Sequence, residues 1–200
     1  GFGGVNVAGP LFISTSGAGF GTGATKYMGA DRSRFEEAVS TREPGLYTCQ
    51  IRQDETVTLT LPVESAMHVA IVGDDSMPQW SFTGEGLAFT AAVHAYLNLA
   101  YVTVPRGQFS MMQGGELSVD HVQMQGAQIH VAGSLAASNS QLIDVQFEIE
   151  AAALMTIDST TISGTGEEAL ALPIGCSATI SGGEIKNVEL QVASDGELIV

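Results

Sequence analysis

The acidic residues with the clearest potential to bind a cation follow an apolar segment at residues 69–72. Asp74 and Asp75 come directly after Gly73 at a predicted turn, and Glu85 lies ten residues beyond Asp75. Carboxylate oxygens are the ligands that Ca²⁺ prefers. An aspartate pair after a strand is also typical of a solvated turn. These three residues are therefore the candidate calcium ligands, with a solvated turn as the alternative and no other cofactor predicted.

Two histidines could also contribute to a metal site. His121 and His130 lie nine residues apart on different predicted strands, with Asp120 and Asp158 as acidic residues that could lie nearby. The spacings between ligands that are typical of zinc sites are absent. The sequence therefore predicts no zinc site. It also contains no nucleophile elbow, phosphate-binding loop or dinucleotide fingerprint.

An internal repeat indicates the elements that would position such side chains. Triplets with apolar first and third residues begin at a constant step, at positions 69, 89, 109 and 129, and similar triplets begin at 155, 178 and 198. A second series, beginning at 99, 119, 142 and 185, places two residues between apolar positions. Because a straight strand alternates its side chains, this spacing indicates a sharp bend between two strands.

Short strands that recur at this fixed period predict an all-β fold of stacked coils, the parallel β-helix. Each strand then pairs with its equivalent one coil away. A leucine-rich repeat has a similar period, but its leucine and asparagine signature is absent. A β-sandwich would also contain many short strands, but it has no reason to keep a constant step.

The outward positions of the first series carry no recognisable catalytic pair. If the apolar members point inwards, the outward residues are Ala70, Thr90, Ser110, His130, Thr156 and Thr179. Cleavage of a glycosidic bond needs two carboxylates, and elimination from a uronate needs a base with a nearby positive charge. No catalytic residue is therefore predicted.

A polar column on the predicted third sheet is the candidate binding face. Its outward residues are Gln123, Gln125, Gln146, Glu148, Glu189 and Gln191. A flat column rich in glutamine can stack side-chain hydrogen bonds along the coil axis. Its ligand would be a glycan or another protein subunit, and ordinary solvent exposure is the alternative.

The charge of the chain excludes several classes of partner. The net charge is −15, and residues 53–200 contain only Arg106 and Lys186 as basic residues. Nucleic acids and anionic membranes are bound through several Lys or Arg side chains, so neither is predicted as a partner. Residues 86–105 are largely apolar, but His94 and Asn98 and the match to both series favour a buried coil over a membrane span.

The chain divides into a glycine-rich N-terminal segment at residues 1–30 and a single β-helix domain at residues 31–200. A short amphipathic helix near residues 31–40 is predicted to cap the first coil, and the C-terminal end is predicted to be incomplete because its last strand has no polar cap. Cys49 and Cys176 lie about six coils apart, on the order of 30 Å at ~4.8 Å per coil. No intrachain disulfide is predicted at that distance.

Residues 35–39 (FEEAV), 43–47 (EPGLY), 57–62 (VTLTLP) and 69–74 (VAIVGD) resemble the N-terminal portion of pectin-lyase-like right-handed β-helix proteins. The resemblance implies a capping helix, a Pro-Gly turn and a right-handed β-helix with three parallel sheets. It implies no single activity, because this superfamily includes lyases, hydrolases, adhesins and inert scaffolds.

The function expected from these observations is that of a non-catalytic structural or binding β-helix module, part of a longer chain or assembly. The alternative is a carbohydrate-active enzyme of the pectin-lyase-like group, either a polysaccharide lyase or a glycoside hydrolase acting with calcium. The acidic surface favours an extracellular or cell-surface setting, whereas two unpaired thiols favour a reducing one.

Overall fold

A computed structural model describes residues 11–14, 45–51, 54–57, 61–63, 67–82, 89–91, 95–193 and 197–200. These residues form strands and turns without a helix. The strands are β1 Leu11–Ser14, β2 Gly45–Gln50, β3 Glu55–Val57, β4 Leu61–Val63, β5 Met67–Val72, β6 Trp80–Phe82, β7 Phe89–Ala91, β8 Tyr96–Ala100, β9 Thr103–Pro105, β10 Gln108–Met111, β11 Glu116–Asp120, β12 Gln123–Gln125, β13 Gln128–Val131, β14 Ser134–Ser138, β15 Gln141–Ile143, β16 Gln146–Ile149, β17 Leu154–Asp158, β18 Thr161–Ser163, β19 Ala169–Leu172, β20 Ser177–Ser181, β21 Glu184–Lys186, β22 Glu189–Val192 and β23 Glu197–Ile199.

The strands form three parallel sheets that the chain visits in turn. Sheet I contains β1, β2, β5, β8, β11, β14, β17, β20 and β23, sheet II contains β9, β12, β15, β18 and β21, and sheet III contains β4, β7, β10, β13 and β16. The pair β3 and β6 lies beside β9 of sheet II, and the pair β19 and β22 lies beside β16 of sheet III. From β8 to β22 the chain completes five coils of three strands. The predicted parallel β-helix is confirmed.

The core is a set of apolar columns that run along the coil axis. In sheet I, from β5 to β20, the inward side chains at one register position are all buried, and they are Val69, Leu97, Leu117, Leu135, Met155 and Ala178. Phe109 of β10 and Ile129 of β13 form an equivalent buried column in sheet III. Full burial of one such large side chain stabilises the fold by about 1.5–3 kcal/mol, so the stacked columns are the main source of stability.

The triplets of the first series, although evenly spaced in sequence, belong to strands of two different sheets. Val69 lies in sheet I, where it pairs with Leu97, whereas Phe89, Phe109 and Ile129 lie in sheet III. In sheet I the equivalent residues, at positions 97, 117, 135 and 155, follow one another at nearly the same interval. The first series therefore detected the length of a coil correctly but not the sheet to which each strand belongs. Its six outward residues consequently lie on two faces rather than one.

At two of the three corners the first residue has a left-handed backbone, and at 106–107 the second residue, Gly107, also has a positive φ, of 119°. Between sheets I and II the first residues are Tyr101, His121, Asn139, Ser159 and Gly182, with φ between 49° and 63°. Between sheets II and III they are Arg106, Gly126, Asp144 and Asn187, with φ between 51° and 68°. The bends predicted by the second series are confirmed, but its members at 99 and 119 lie at the first corner and those at 142 and 185 at the second.

The first corner also contains Ser140 and Thr160, the two buried polar side chains among the residues whose burial is described. The Ser140 Oγ accepts a hydrogen bond from the backbone N–H of Val122 at 3.0 Å, and the Thr160 Oγ1 accepts one from the N–H of Ser140 at 3.3 Å. Each hydroxyl donates to the carbonyl oxygen two residues earlier in the chain. The hydroxyls thus satisfy backbone donors of the preceding coil.

Replacing Thr160 by valine should lower the free energy of unfolding by about 1–3 kcal/mol, because the change keeps the shape but leaves the buried Ser140 N–H without an acceptor. The matched control is Thr156→Val on the exposed face of β17, where no buried donor depends on the hydroxyl. Urea unfolding of both variants measures the difference. Equal midpoints would show that the hydroxyl column does not stabilise the corner.

Other predictions fall partly outside the described residues. The capping helix near residues 31–40 lies outside them, as does most of the segment at residues 1–30. Cys176 is a buried free thiol whose pKa is raised by burial. In the part of the chain that the structure describes, no helix is long and apolar enough to cross a membrane.

Candidate functional site

The predicted calcium ligands are only partly described. The Asp74 carboxylate accepts a hydrogen bond from the backbone N–H of Ser76 at 2.9 Å, and its carbonyl oxygen accepts one from the Met77 N–H at 2.9 Å. Asp75 is exposed at the same turn, and Glu85 lies outside the described residues. The Asp74 side chain therefore closes a turn, and calcium binding here stays a prediction.

The six residues of the predicted polar face lie on three strands. Gln123 and Gln125 belong to β12 of sheet II. Gln146 and Glu148 belong to β16 of sheet III, and Glu189 and Gln191 belong to β22, which follows β19 beside that sheet. The second series changes corner after residue 124, and this change explains why the predicted single column is divided. Binding by these residues stays a prediction.

A shallow groove on sheet III contains two of these six residues, Gln146 and Glu148, and we call it the sheet III groove. Gln108, Gln128 and Gln146 occupy the same register position on β10, β13 and β16. Two residues further along each strand lie Ser110, His130 and Glu148. Side chains at equal register on parallel strands lie about 4.8 Å apart, so each row forms a continuous polar ladder.

His130 lies between a hydroxyl group and a carboxylate. Its Nδ1 lies 3.1 Å from the Ser110 Oγ, and its Nε2 lies 3.0 Å from the Glu150 Oε1, just beyond the end of β16. A hydroxyl, an imidazole and a carboxylate in series can activate a nucleophile. Acyl transfer also needs backbone donors for the oxyanion, but the neighbouring residues of β10 and β13 are engaged in strand pairing. The arrangement is therefore better suited to binding than to acyl transfer.

A second groove lies at the corner between sheets I and II, and we call it the corner groove. It is lined by Asp75, Tyr101, His121, Gln123, Asn139 and Gln141. The rings of Tyr101 and His121 stack with centroids 4.5 Å apart and planes 7° from parallel. Both residues occupy the left-handed corner position of successive coils, which aims their side chains outwards in the same direction. His121 and His130 therefore lie on different parts of the coil.

Asp120 holds the base of the corner groove in place. Its Oδ1 accepts hydrogen bonds from the Ser138 hydroxyl and the Asn139 amide, both at 3.1 Å, and lies 2.9 Å from the His121 Nδ1. Partial burial alone would raise the pKa of this carboxyl, but the bonds from Asn139 and Ser138 and the neighbouring His121 outweigh burial and lower it. The ionised carboxylate thus stabilises the corner at pH values above 3.8, the usual pKa of an aspartate. This contribution to stability is lost as the pH falls through the lowered pKa of Asp120.

Comparisons of the chain with protein-family models, with curated proteins and with solved structures find no significant match. The parallel β-helix is therefore established by the strand pairing alone. The pectin-lyase-like resemblance stays a prediction from the residues at 35–74.

The sequence predictions missed both the ring stack and the contact of His130 with Glu150. Tyr101 and His121 are separated by one step of the repeat, as are Ser110 and His130. Pairs of polar or aromatic residues at the period of the repeat were thus the available signal. These pairs were hard to recognise because the two corners have the same apolar spacing, so the sequence does not show which residues lie at the same corner of successive coils.

Proposed function

We propose that this protein is a non-catalytic β-helix binding module whose ligand is an uncharged glycan held in the corner groove. The observation that carries the proposal is the stacked pair of Tyr101 and His121 bordered by the amides of Gln123, Asn139 and Gln141. Among the described residues, this groove combines a flat ring surface with several hydrogen-bonding side chains.

The chemistry of the groove matches that of a sugar ring. A pyranose presents apolar C–H groups on its faces and hydroxyl groups around its edge. An aromatic ring supplies apolar contact area, and amide side chains supply both donors and acceptors for hydroxyl groups. The His121 side chain is 43% exposed, so part of the stack is accessible to a ligand.

The groove is rigid because the backbone of each corner residue is bonded to the next coil. The N–H groups of Tyr101, His121 and Asn139 donate to the carbonyl oxygens of Asp120, Ser138 and Asp158, at 3.1, 3.2 and 3.1 Å. Binding at a preorganised surface loses less conformational entropy than binding at a flexible loop. A rigid corner can therefore bind a ligand with few direct contacts.

The charge of the chain favours an uncharged ligand over an acidic polysaccharide. The net charge is −15, and Asp75 and Asp120 lie at or beside the groove. A polymer of uronate residues would be repelled by this field, most strongly at low ionic strength.

Titration calorimetry with a panel of neutral and acidic oligosaccharides tests the proposal. We expect binding of a neutral member and at least a tenfold loss of affinity in Tyr101→Ala, equivalent to about 1.4 kcal/mol. Gln108→Ala, which removes an amide from the sheet III groove, is the matched control and should bind as the unmodified chain does. Absence of binding across the neutral panel, or equal affinity of Tyr101→Ala, would overturn the proposal.

A carbohydrate-active enzyme is the second candidate, and one observation favours it. Carboxylate oxygens of Glu148 and Glu150 lie within 4.8 Å of each other, beside His130. Retaining glycosidases place their two carboxyl groups about 5–5.5 Å apart. Release of reducing or unsaturated ends from a polysaccharide, abolished in Glu148→Gln, would favour this candidate over the binding module.

A further inference from the structure

His130, Glu148 and Glu150 converge on one point of the outer surface of sheet III. His130 and Glu148 are direct partners in the pairing of β13 with β16, and Glu150 follows two residues after Glu148. One ligand atom of each residue lies within 4.8 Å of the other two. Around a tetrahedral zinc ion, ligand atoms at about 2.1 Å from the metal are roughly 3.4 Å from one another, so rotation of two exposed glutamate side chains would suffice to reach that geometry.

Ser110 fixes the orientation of the imidazole without fixing its tautomer. The Ser110 Oγ lies 3.1 Å from Nδ1, whereas the Glu150 carboxylate contacts the other ring nitrogen, Nε2. A hydroxyl can either donate or accept, so this bond persists whichever nitrogen carries the proton. With the proton on Nε2, His130 donates to Glu150. With the proton on Nδ1, the Nε2 lone pair faces the Glu150 carboxylate, an arrangement that a cation stabilises.

The donor set also defines the class of ion. Two carboxylates carry a charge of −2 when ionised, which balances a divalent cation. One imidazole nitrogen with two carboxylate oxygens suits zinc and similar transition metals, which commonly use three protein ligands and a water molecule. Calcium prefers six to eight oxygen ligands, so this cluster does not favour it.

We propose that His130, Glu148 and Glu150 form a binding site for one divalent transition-metal ion such as Zn²⁺, with Ser110 as a positioning residue behind the imidazole. The site lies on sheet III and is independent of the proposed glycan groove. Occupation of the site would connect β13 to β16 and to the residue that follows β16, and would so link two coils through their outer faces.

Titration of the full chain with Zn²⁺ against a chromophoric chelator measures the affinity and the stoichiometry. We expect one site per chain, with affinity reduced at least tenfold in His130→Ala and in Glu150→Gln, and reduced less in Ser110→Ala. Glu167→Gln removes an exposed carboxylate elsewhere and should leave the affinity unchanged. Excess Ca²⁺ should not displace the zinc.

Nitrogen NMR of the imidazole separates ligation from a general effect of charge. We expect the His130 Nε2 resonance to shift on addition of Zn²⁺ while Nδ1 stays protonated, and circular dichroism to show that each variant is folded. Absence of zinc binding would overturn the proposal, as would a His130→Ala variant that binds zinc as tightly as the unmodified chain. Weak binding that is reduced equally by Glu167→Gln and by Glu150→Gln would also overturn it. These outcomes do not depend on whether the corner groove binds a glycan.

Discussion

Replacing Phe109 by alanine should lower the free energy of unfolding by about 3–5 kcal/mol. Phe109 is 1% exposed in β10, which lies between β7 and β13 in sheet III, and its column neighbour in β13 is the buried Ile129. The hydrogen-bonded strands on both sides limit how far the core can close around the cavity. The cost therefore includes a cavity contribution in addition to the lost transfer free energy. Urea unfolding with linear extrapolation measures the change.

The matched control is Phe147→Ala in β16, two coils further along sheet III. Phe147 pairs with Ile129 at the same register position but is only half-buried. Its truncation removes less buried area and leaves a cavity open to solvent, so the loss should be clearly smaller. Equal losses in the two variants would mean that the column does not pack as tightly at Phe109 as its burial indicates.

Gly133→Ala is expected to destabilise the fold by about 3 kcal/mol, at the upper end of the cost of overpacking. A Cβ atom at this position would lie 2.2 Å from the carbonyl oxygen of Gly115 and 2.4 Å from that of Met112. Both oxygens belong to the preceding coil. Gly115 also accepts the hydrogen bond of the Ser134 N–H, so the chain cannot move away without breaking strand pairing. Thermal unfolding followed by circular dichroism measures the effect.

Gly126→Ala separates the clash at Gly133 from ordinary backbone strain. Gly126 has a φ of 68°, but an added Cβ would meet only the Arg106 Cγ, at 3.6 Å. The expected cost is therefore the strain of a left-handed alanine, about 1–2 kcal/mol. A melting temperature for Gly126→Ala at or below that of Gly133→Ala would refute the steric explanation.

The fold was predictable because strand alternation and coil length both leave a mark on the sequence. Apolar residues at every second position define the strands, and the constant step between equivalent triplets defines the coil. The assignment of strands to sheets was not predictable in the same way. Residues 99–104 and 142–147 have the same apolar spacing, yet the first turns from sheet I to sheet II and the second from sheet II to sheet III.

The candidate sites depended on that assignment. Gln123 and Glu148 were predicted to share a face, but they lie on sheets II and III, where each borders a different groove. The contact between His130 and Glu150 depends on the pairing of β13 with β16, which a one-residue error in register would break. Residue types alone therefore indicated polar surfaces but not which residues meet.

The corner between sheets I and II and the return to sheet I differ in how freely their length varies. From β8 onwards the corner between sheets I and II has two residues in every coil, at 101–102, 121–122, 139–140, 159–160 and 182–183, whereas the return to sheet I has two residues at 132–133 and four at 112–115, 150–153 and 173–176. The return side thus accommodates differences in length and is a suitable place to graft a foreign peptide for display. An epitope inserted between Ile174 and Gly175 would project from a stiff rod at a known height, with the strands above and below it keeping their alignment.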